Sequence, residues 1–336
     1  MRRNEAVMKD LKREITLMAG IIVLSVIAVT TLGISKISNS LNVSSAAETG
    51  EKTEKLAFSQ IVSSLKAGSK SKFGITGGKG EDITWSVSDK KYAVINQKGV
   101  LQGKRAGKVT VYAKSASDII SYTVNVEGKK KIAIDAGHQK QGDSSTEPVG
   151  PGSSVKKAKV SWGATGVATG VPEYQLTLDV AKKLQKELVD RGYEVYMVRT
   201  KNNVNISNKK RAVKVNKSGS DIYIRIHGDS ASSSSARGAS ALYPSKSNPY
   251  VGKLSKKSLK LSKAVLNSYC DVTGIKNRGC IIRDDLTGTN WSEIPVTLIE
   301  MGFMSNSAED KKMQKKAFQN KMAKGMADGI DSYFGY

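Results

Sequence analysis

Short runs of alternating apolar and polar residues fill positions 83–126: "ITWSVSD" (Ile83–Asp89), "YAVINQKGVLQGKRAGKVTVYAKS" (Tyr92–Ser115) and "ISYTVNV" (Ile120–Val126). A period of two marks strands with one buried face. Such strands, broken only by glycine-containing turns, predict a small β-sandwich with Trp85 in its core. The pattern changes after the charged hinge "EGKKK" (Glu127–Lys131). From there strand-like runs ("KIAID", "YEVYMVRT", "DIYIRIH", "ASALYP", "VTLIE") alternate with helical ones. "PEYQLTLDVAKKLQKELVDRG" sets Leu178, Ala181, Leu184 and Leu188 on one stripe, with Pro172 in its first turn and Gly192 as its stop. "SNKKRAVKVNKSG", Lys253–Thr273 and Ser307–Tyr333 read as further helices. The alternation predicts an α/β domain with an open mixed sheet flanked by helices.

The amino end has a third pattern. Ile15–Ile34 carries no charge and follows Arg2, Arg3, Lys9, Lys12 and Arg13. Its length matches the about 20 apolar residues of a membrane span, and the basic flank keeps that end inside. "SSAAE" (Ser44–Glu48) resembles a signal-peptidase site, so anchor and cleaved signal both remain open. The expected organisation is a basic end, span or signal and linker over 1–50, the sandwich over 51–128 and a catalytic domain over 129–336.

Charge narrows the partners. The 336 residues hold 54 Lys and Arg against 30 Asp and Glu, a net +24, which favours anionic partners. An exported chain does not meet nucleic acid. That leaves anionic wall polymers, and a membrane reached through the uncleaved helix. Cys270 and Cys280 are the only cysteines. Export permits a disulfide, but two buried unpaired thiols are the favoured expectation.

The chain has two histidines, and both end strands: His138 follows "KIAID" across a short turn, and His227 closes "DIYIRIH". Glu300 closes "VTLIE", where an unpaired buried carboxylate is costly. Ligands of open α/β sheets bind beyond the strand carboxyl ends. Two histidines and a carboxylate are a usual ligand set for a catalytic zinc with one open position. Glu173 opens the first long helix and, on spacing alone, is only a favourable charge at a helix N-terminus. Asp135 either caps the turn after its strand or orients His138 from behind.

Residues 56–127 resemble the bacterial group-2 immunoglobulin-like domains, from the Trp of "ITWSVSD" through "AVINQKGVLQGKRAGKVTVYA" to "YTVNV". Four segments beyond them resemble the zinc-dependent N-acetylmuramoyl-L-alanine amidases of the amidase 3 family. They are "IAIDAGHQKQG", "PEYQLTLDVAKKLQKELVDRGYEVYMVRT", "ISNKKRAVKVNKSGSDIYIRIH" and "VTLIEMGFMSN", in family order over about residues 131–334. The resemblance implies that His138, Glu173 and His227 hold Zn2+ and that Glu300 is the catalytic acid/base. Two departures stand out: Gln139-Lys140 replaces the frequent Gly-Gly, and "RIHGD" puts Arg225 and Asp229 where Ser and Asn are usual.

The stretches before Glu173 and before the last strand, the latter Asn277–Pro295, are expected to form loops at the site rim. Asp284, Asp285, Asn290 and Trp291 there are candidate substrate contacts. The implied activity is cleavage of the amide between N-acetylmuramic acid and L-alanine of the peptidoglycan stem peptide, outside the cell or in its wall. Two alternatives accompany it: a catalytically silent wall-binding protein, and a zinc peptidase acting on the stem peptide.

Overall fold

The computed structural model describes residues 54–78 and 82–336. The apolar run Ile15–Ile34, its basic flank and the "SSAAE" stretch lie outside the described residues. Among the described residues, no helix is long and apolar enough to cross a membrane.

Nine short strands come first: β1 (Ala57–Gln60), β2 (Ser64–Lys66), β3 (Lys70–Lys72), β4 (Gly74–Thr76), β5 (Thr84–Val87), β6 (Ala93–Ile95), β7 (Val100–Gly103), β8 (Gly107–Lys114) and β9 (Ile119–Glu127). They form a four-stranded sheet ordered β2-β9-β8-β5, a three-stranded sheet ordered β3-β7-β6 and the pair β1-β4. Their alternation buries Val109, Val111 and Ala113 on β8, and Val124 and Val126 on β9, in one core with Trp85. The Trp85 ring lies 6.0 Å from Phe73 and 6.3 Å from Phe58, so its apolar surface is spent on packing.

The second part carries β10 (Lys131–Ala136), β11 (Asp143–Pro148), β12 (Lys156–Val160), β13 (Glu194–Met197), β14 (Ile222–Asp229), β15 (Ala239–Tyr243), β16 (Asn277–Ile282) and β17 (Val296–Phe303). Six of them make a mixed open sheet ordered β13-β10-β14-β17-β15-β16. Its pairs are parallel except β15 with β17. Helices α1 (Glu173–Asp190), α2 (Asn208–Asn216), α3 (Ser255–Thr273), α4 (Ser307–Met313) and α5 (Lys316–Phe334) flank it.

Period two sorts the strand residues between the sheet's two faces. Ile132 and Ile134 on β10, Ile222, Ile224 and Ile226 on β14, and Ile299 and Met301 on β17 enter the large core with α1, α3 and α5. Ala133, Tyr223 and Val296 point the other way, into a smaller cluster with Ala212 and Val215 of α2. Asp135, Arg225, His227 and Glu300 fall on that second face by the same count. The fold therefore assigns them a common side before any of them touches another.

Two stretches expected as loops are built differently. Residues 143–160 form an antiparallel ribbon, β11 with β12, and Asn277–Ile282 is the edge strand β16. Both are largely exposed, so their sequences lack the one-sided apolar alternation that marks a strand over a core. The final helical stretch is two helices, separated at Gln314 and Lys315.

Cys270 on α3 is buried, Cys280 on β16 is half-buried, and both are free thiols. Burial raises Cys270 to about 11 and also pushes Cys280 up.

Helix α5 approaches α3 closely at two glycines. A Cβ on Gly325 would sit 2.8 Å from the Tyr269 Cα, and one on Gly329 would sit 2.5 Å from the Val265 Cα. Both obstacles are backbone, which cannot rotate away. Gly329→Ala should therefore destabilise the protein. Helix separation of the kind that costs about 1–3 kcal/mol outweighs the gain of about 1 kcal/mol in helix propensity. A urea midpoint that rises in this variant would show that the crossing has slack.

Candidate metal centre

Parallel pairing puts Asp135 opposite Arg225 and His227 opposite Glu300. Strand β14 runs on past His227 to Asp229 and β17 past Glu300 to Phe303, so neither residue closes its strand as the sequence pattern suggested. The chain leaves β10 through Gly137, where a Cβ would lie 2.4 Å from the His227 ring. Only glycine lets the ring come so close. His138 follows with φ of 59°, alone in the left-handed region among the described non-glycine residues. That conformation costs roughly 1–2 kcal/mol and needs an over-determined setting.

Two buried arginines provide it. Arg199 donates from Nε to the Ala136 carbonyl at 2.8 Å and from Nη2 to the Gly137 carbonyl at 3.0 Å. Arg211 donates from Nη2 to the His138 carbonyl at 2.8 Å. Thr177 of α1 adds a hydroxyl bond to the Gly137 carbonyl at 2.8 Å.

Behind the turn lies Asp135, fully buried. It accepts from Arg211 Nη1 at 2.6 Å, from Tyr223 Oη at 3.0 Å and from Arg225 Nε at 3.4 Å. Burial pushes this carboxyl up, but the Arg211 and Arg225 charges outweigh it and hold it at about 2. Asp135 does not touch His138; it reaches that residue through Arg211. The sequence carried no spacing signal for these partners, which come from α2 and β14.

Three donor groups converge in front of the turn. His138 Nε2 lies 3.1 Å and His227 Nδ1 3.0 Å from Glu173 Oε1, and the two ring nitrogens are 3.1 Å apart. The ligand atoms of His138, Glu173 and His227 all fall within 4.8 Å of one another, a spacing that could hold a metal ion. His138 Nδ1 faces the Ser161 carbonyl at 2.9 Å. A carbonyl can only accept, so Nδ1 carries the proton and Nε2 turns its lone pair toward the other donors.

Glu173 accepts from the Ala164 and Gly228 backbone amides at 2.8 and 3.0 Å. Burial pushes its carboxyl up, yet its close contacts with the two histidines outweigh that and hold it ionised. Burial also lowers His227 to about 4, so its ring is neutral near pH 7, the form that binds a metal. The donor chemistry fits a divalent cation.

Glu300 stands beside these groups. Its Oε2 is buried with no hydrogen-bond partner among the described residues. Burial, then the charges of Glu173 and Asp229, raise it well above the usual carboxylate range. A cavity of about 240 Å³ opens over His138 and His227, walled by Arg225, Leu298, Lys157 of the ribbon and Asp285. Lys157 Nζ donates to Asp285 Oδ2 at 2.8 Å, and Arg283 Nε to Asp285 Oδ1 at 2.7 Å.

Of the four residues expected to touch substrate, Asp285 lines this cavity. Asp284 accepts from Ser245 and Asn248, and Asn290 donates to the Asp284 carbonyl, so both brace their loop. Trp291 donates from Nε1 to the Pro148 carbonyl at 3.0 Å and lies under Lys209.

Comparison with known proteins adds relatives to this geometry. Residues 132–332 match the family described as N-acetylmuramoyl-L-alanine amidase, and residues 67–118 match the bacterial Ig-like domain (group 2). The uncharacterized protein YqiI of Bacillus subtilis (strain 168) is 26% identical over 209 residues, 62% of this chain and 86% of that protein. The N-acetylmuramoyl-L-alanine amidase LytC of the same organism is 24% identical over 168 residues, 50% of this chain. The match spans only 32% of LytC's length. The crystal structure of the N-acetylmuramyl-L-alanine amidase Ami1 from Mycobacterium smegmatis shares the fold. Its TM-score is 0.57 at 24% identity, over 62% of this chain and 98% of that one.

The raised Glu300 carboxyl has a consequence for the metal-free chain. The folded form keeps this proton where the unfolded form, near 4.5, has lost it. The contribution is full below that value and is lost as pH rises toward the folded value. Wild type should therefore lose stability relative to Glu300→Gln as pH rises above the ordinary carboxylate range in the presence of chelator. Parallel urea curves for the two proteins across that rise would contradict the shift.

Proposed function

The chain belongs to the N-acetylmuramoyl-L-alanine amidase family, and from that premise we propose that it is a zinc-dependent peptidoglycan hydrolase. It cleaves the amide between N-acetylmuramic acid and L-alanine of the stem peptide. The observation that carries this reading is the meeting of His138 Nε2, Glu173 Oε1 and His227 Nδ1 beside the partnerless carboxylate oxygen of Glu300. Those three residues would hold zinc, which when bound supplies a Lewis acid and a water that ionises near about pH 7.

The chain's own residues do the rest. Glu300 takes the proton of the attacking water and returns it to the leaving amine. A carboxyl raised above its ordinary range is suited to both halves of that transfer. Arg199 and Arg211 keep His138 in its turn, and Asp135 keeps Arg211 in place. Asp285 meets the stem peptide at the cavity wall, with Asp284, Asn290 and Trp291 shaping the loop that presents it.

Residues 51–128 act as the Ig-like spacing or wall-contact module and 129–336 as the catalytic domain. The excess of Lys and Arg suits peptidoglycan carboxylates and anionic wall polymers. The chain works outside the cytoplasm, in the wall or tethered by its basic, apolar amino end.

Mass spectrometry of digested wall fragments tests the reaction. Free lactyl carboxyl ends are expected; cut bonds within the stem peptide would make it a peptidase, and intact fragments a silent binder. His227→Ala should lower zinc content and abolish turnover while the domain stays folded. Full zinc by elemental analysis in that variant would remove His227 from the ligand set. Glu300→Gln should retain zinc and lose at least the roughly 10²–10⁴-fold that general acid–base catalysis supplies. Near-normal kcat would end its assignment, whereas loss of zinc would make Glu300 a ligand.

A further inference from the structure

Trp162 immediately follows Ser161, the residue whose carbonyl faces His138 Nδ1, yet it is 66% exposed. Its ring is seated all the same: a Cβ on Gly142 would lie 3.0 Å from it, so the indole rests on the Gly142 backbone. Gly142 is part of the lining of a second cavity, about 530 Å³, which also includes Gln141, Ser144, Asn203 and Asn205. Gln139, the residue that follows His138 in the chain, also lines this groove.

The groove is built to keep its amides free. In the loop after β13, Asn202 spends its side chain on Arg199 and Gln175, and its carbonyl accepts from the Lys140 amide at 2.9 Å. The Ile206 amide donates to Gln139 Oε1 at 3.0 Å. Anchored at both ends, the loop carries Asn203 and Asn205 outward. Among the described residues, the side chains of Gln141, Asn203 and Asn205 have no protein partner. Among the described residues, no lysine or arginine lines the groove and Asp143 is its one charged group, despite the chain's net charge of +24. An anionic polymer is thus poorly matched to it. A flat exposed indole beside neutral amides suits a ligand with an apolar face and a rim of hydroxyl and acetamido groups.

We propose that this groove is a subsite for the glycan strand. Trp162 stacks on the face of an N-acetylated sugar, and Gln141, Asn203 and Asn205 hydrogen-bond its acetamido and hydroxyl groups. The proposal deepens the amidase reading and rests on it for the sugar's identity: the ring bound here neighbours the one bearing the scissile amide.

Two measurements on the full-length chain test it. In the first, metal-free protein is titrated with peptide-stripped strands of N-acetylglucosamine and N-acetylmuramic acid while tryptophan emission is followed. Trp85 is buried and Trp291 is held by its bond to Pro148, so a saturable change reports Trp162. It should disappear in Trp162→Ala. In the second, kcat/KM is compared between peptide-bearing strands and a single-sugar muramoyl peptide. Trp162→Ala should reduce the preference for strands about five- to tenfold, and Trp162→Phe should restore most of it. Zinc content and the unfolding midpoint confirm that each variant folds.

Saturable binding without hydrolysis of either substrate would sink the amidase reading and leave the glycan subsite standing. Hydrolysis with unchanged emission and unchanged strand preference in Trp162→Ala would overturn the subsite. An emission change produced only by anionic polymer, and not by stripped strands, would overturn it as well.

Discussion

The carboxylate of Asp135, sealed inside the sheet's second face, is the contact on which the site depends. It is shared by Arg211, Arg225 and Tyr223, which come from a helix and a neighbouring strand. Removing one partner of a buried ion pair costs about 3–5 kcal/mol, because the charge left behind stays desolvated. Here the penalty would fall on guanidiniums that do more than neutralise it. Arg211 also holds the His138 carbonyl, so the force fixing the left-handed turn passes through an ion pair that never meets the ligand atoms. A misplaced Arg211 would free the His138 backbone to relax and turn its ring from Glu173.

Much of this was legible along the chain, and the reason is period two. His138, His227 and Glu300 could be read as one group because each lies at or near the carboxyl side of an apolar strand-like run, and parallel strands bring those sides together, although β14 and β17 continue past His227 and Glu300. Glu173 could not be read that way. It lies on a helix, and its reach to both histidines depends on how α1 packs, which spacing does not report. Resemblance supplied what geometry along the chain could not.

The ribbon β11–β12 and the edge strand β16 went unread because exposed strands do not need one-sided alternation. Asp135 was visible as a strand residue, but its partners were not: Arg211 is 76 residues and Arg225 90 residues away. Trp162 was passed over for another reason. An aromatic residue among glycines and serines has no periodic signature, and its meaning lies in what surrounds it in space.

Charge is distributed by function as well as by amount. Lysines and arginines dominate the whole, yet the metal centre gathers Glu173, Glu300 and Asp229 on one side and buried arginines on the other. Burial first, and repulsion among the carboxylates second, raise Glu300 and Asp229. A divalent cation held by the candidate ligands would relieve that repulsion, so metal affinity and the proton affinity of Glu300 would be two readings of one field.

The free thiols bear on how the protein matures. A thiol raised to about 11 is ionised in only about one molecule in ten thousand at neutral pH, and thiolate is the form that exchanges. Neither Cys270 nor Cys280 is therefore poised to react. The fold completes without an oxidant or an isomerase, and no folding step waits for sulfur chemistry. A native state without a disulfide is compatible with reducing and oxidising surroundings alike.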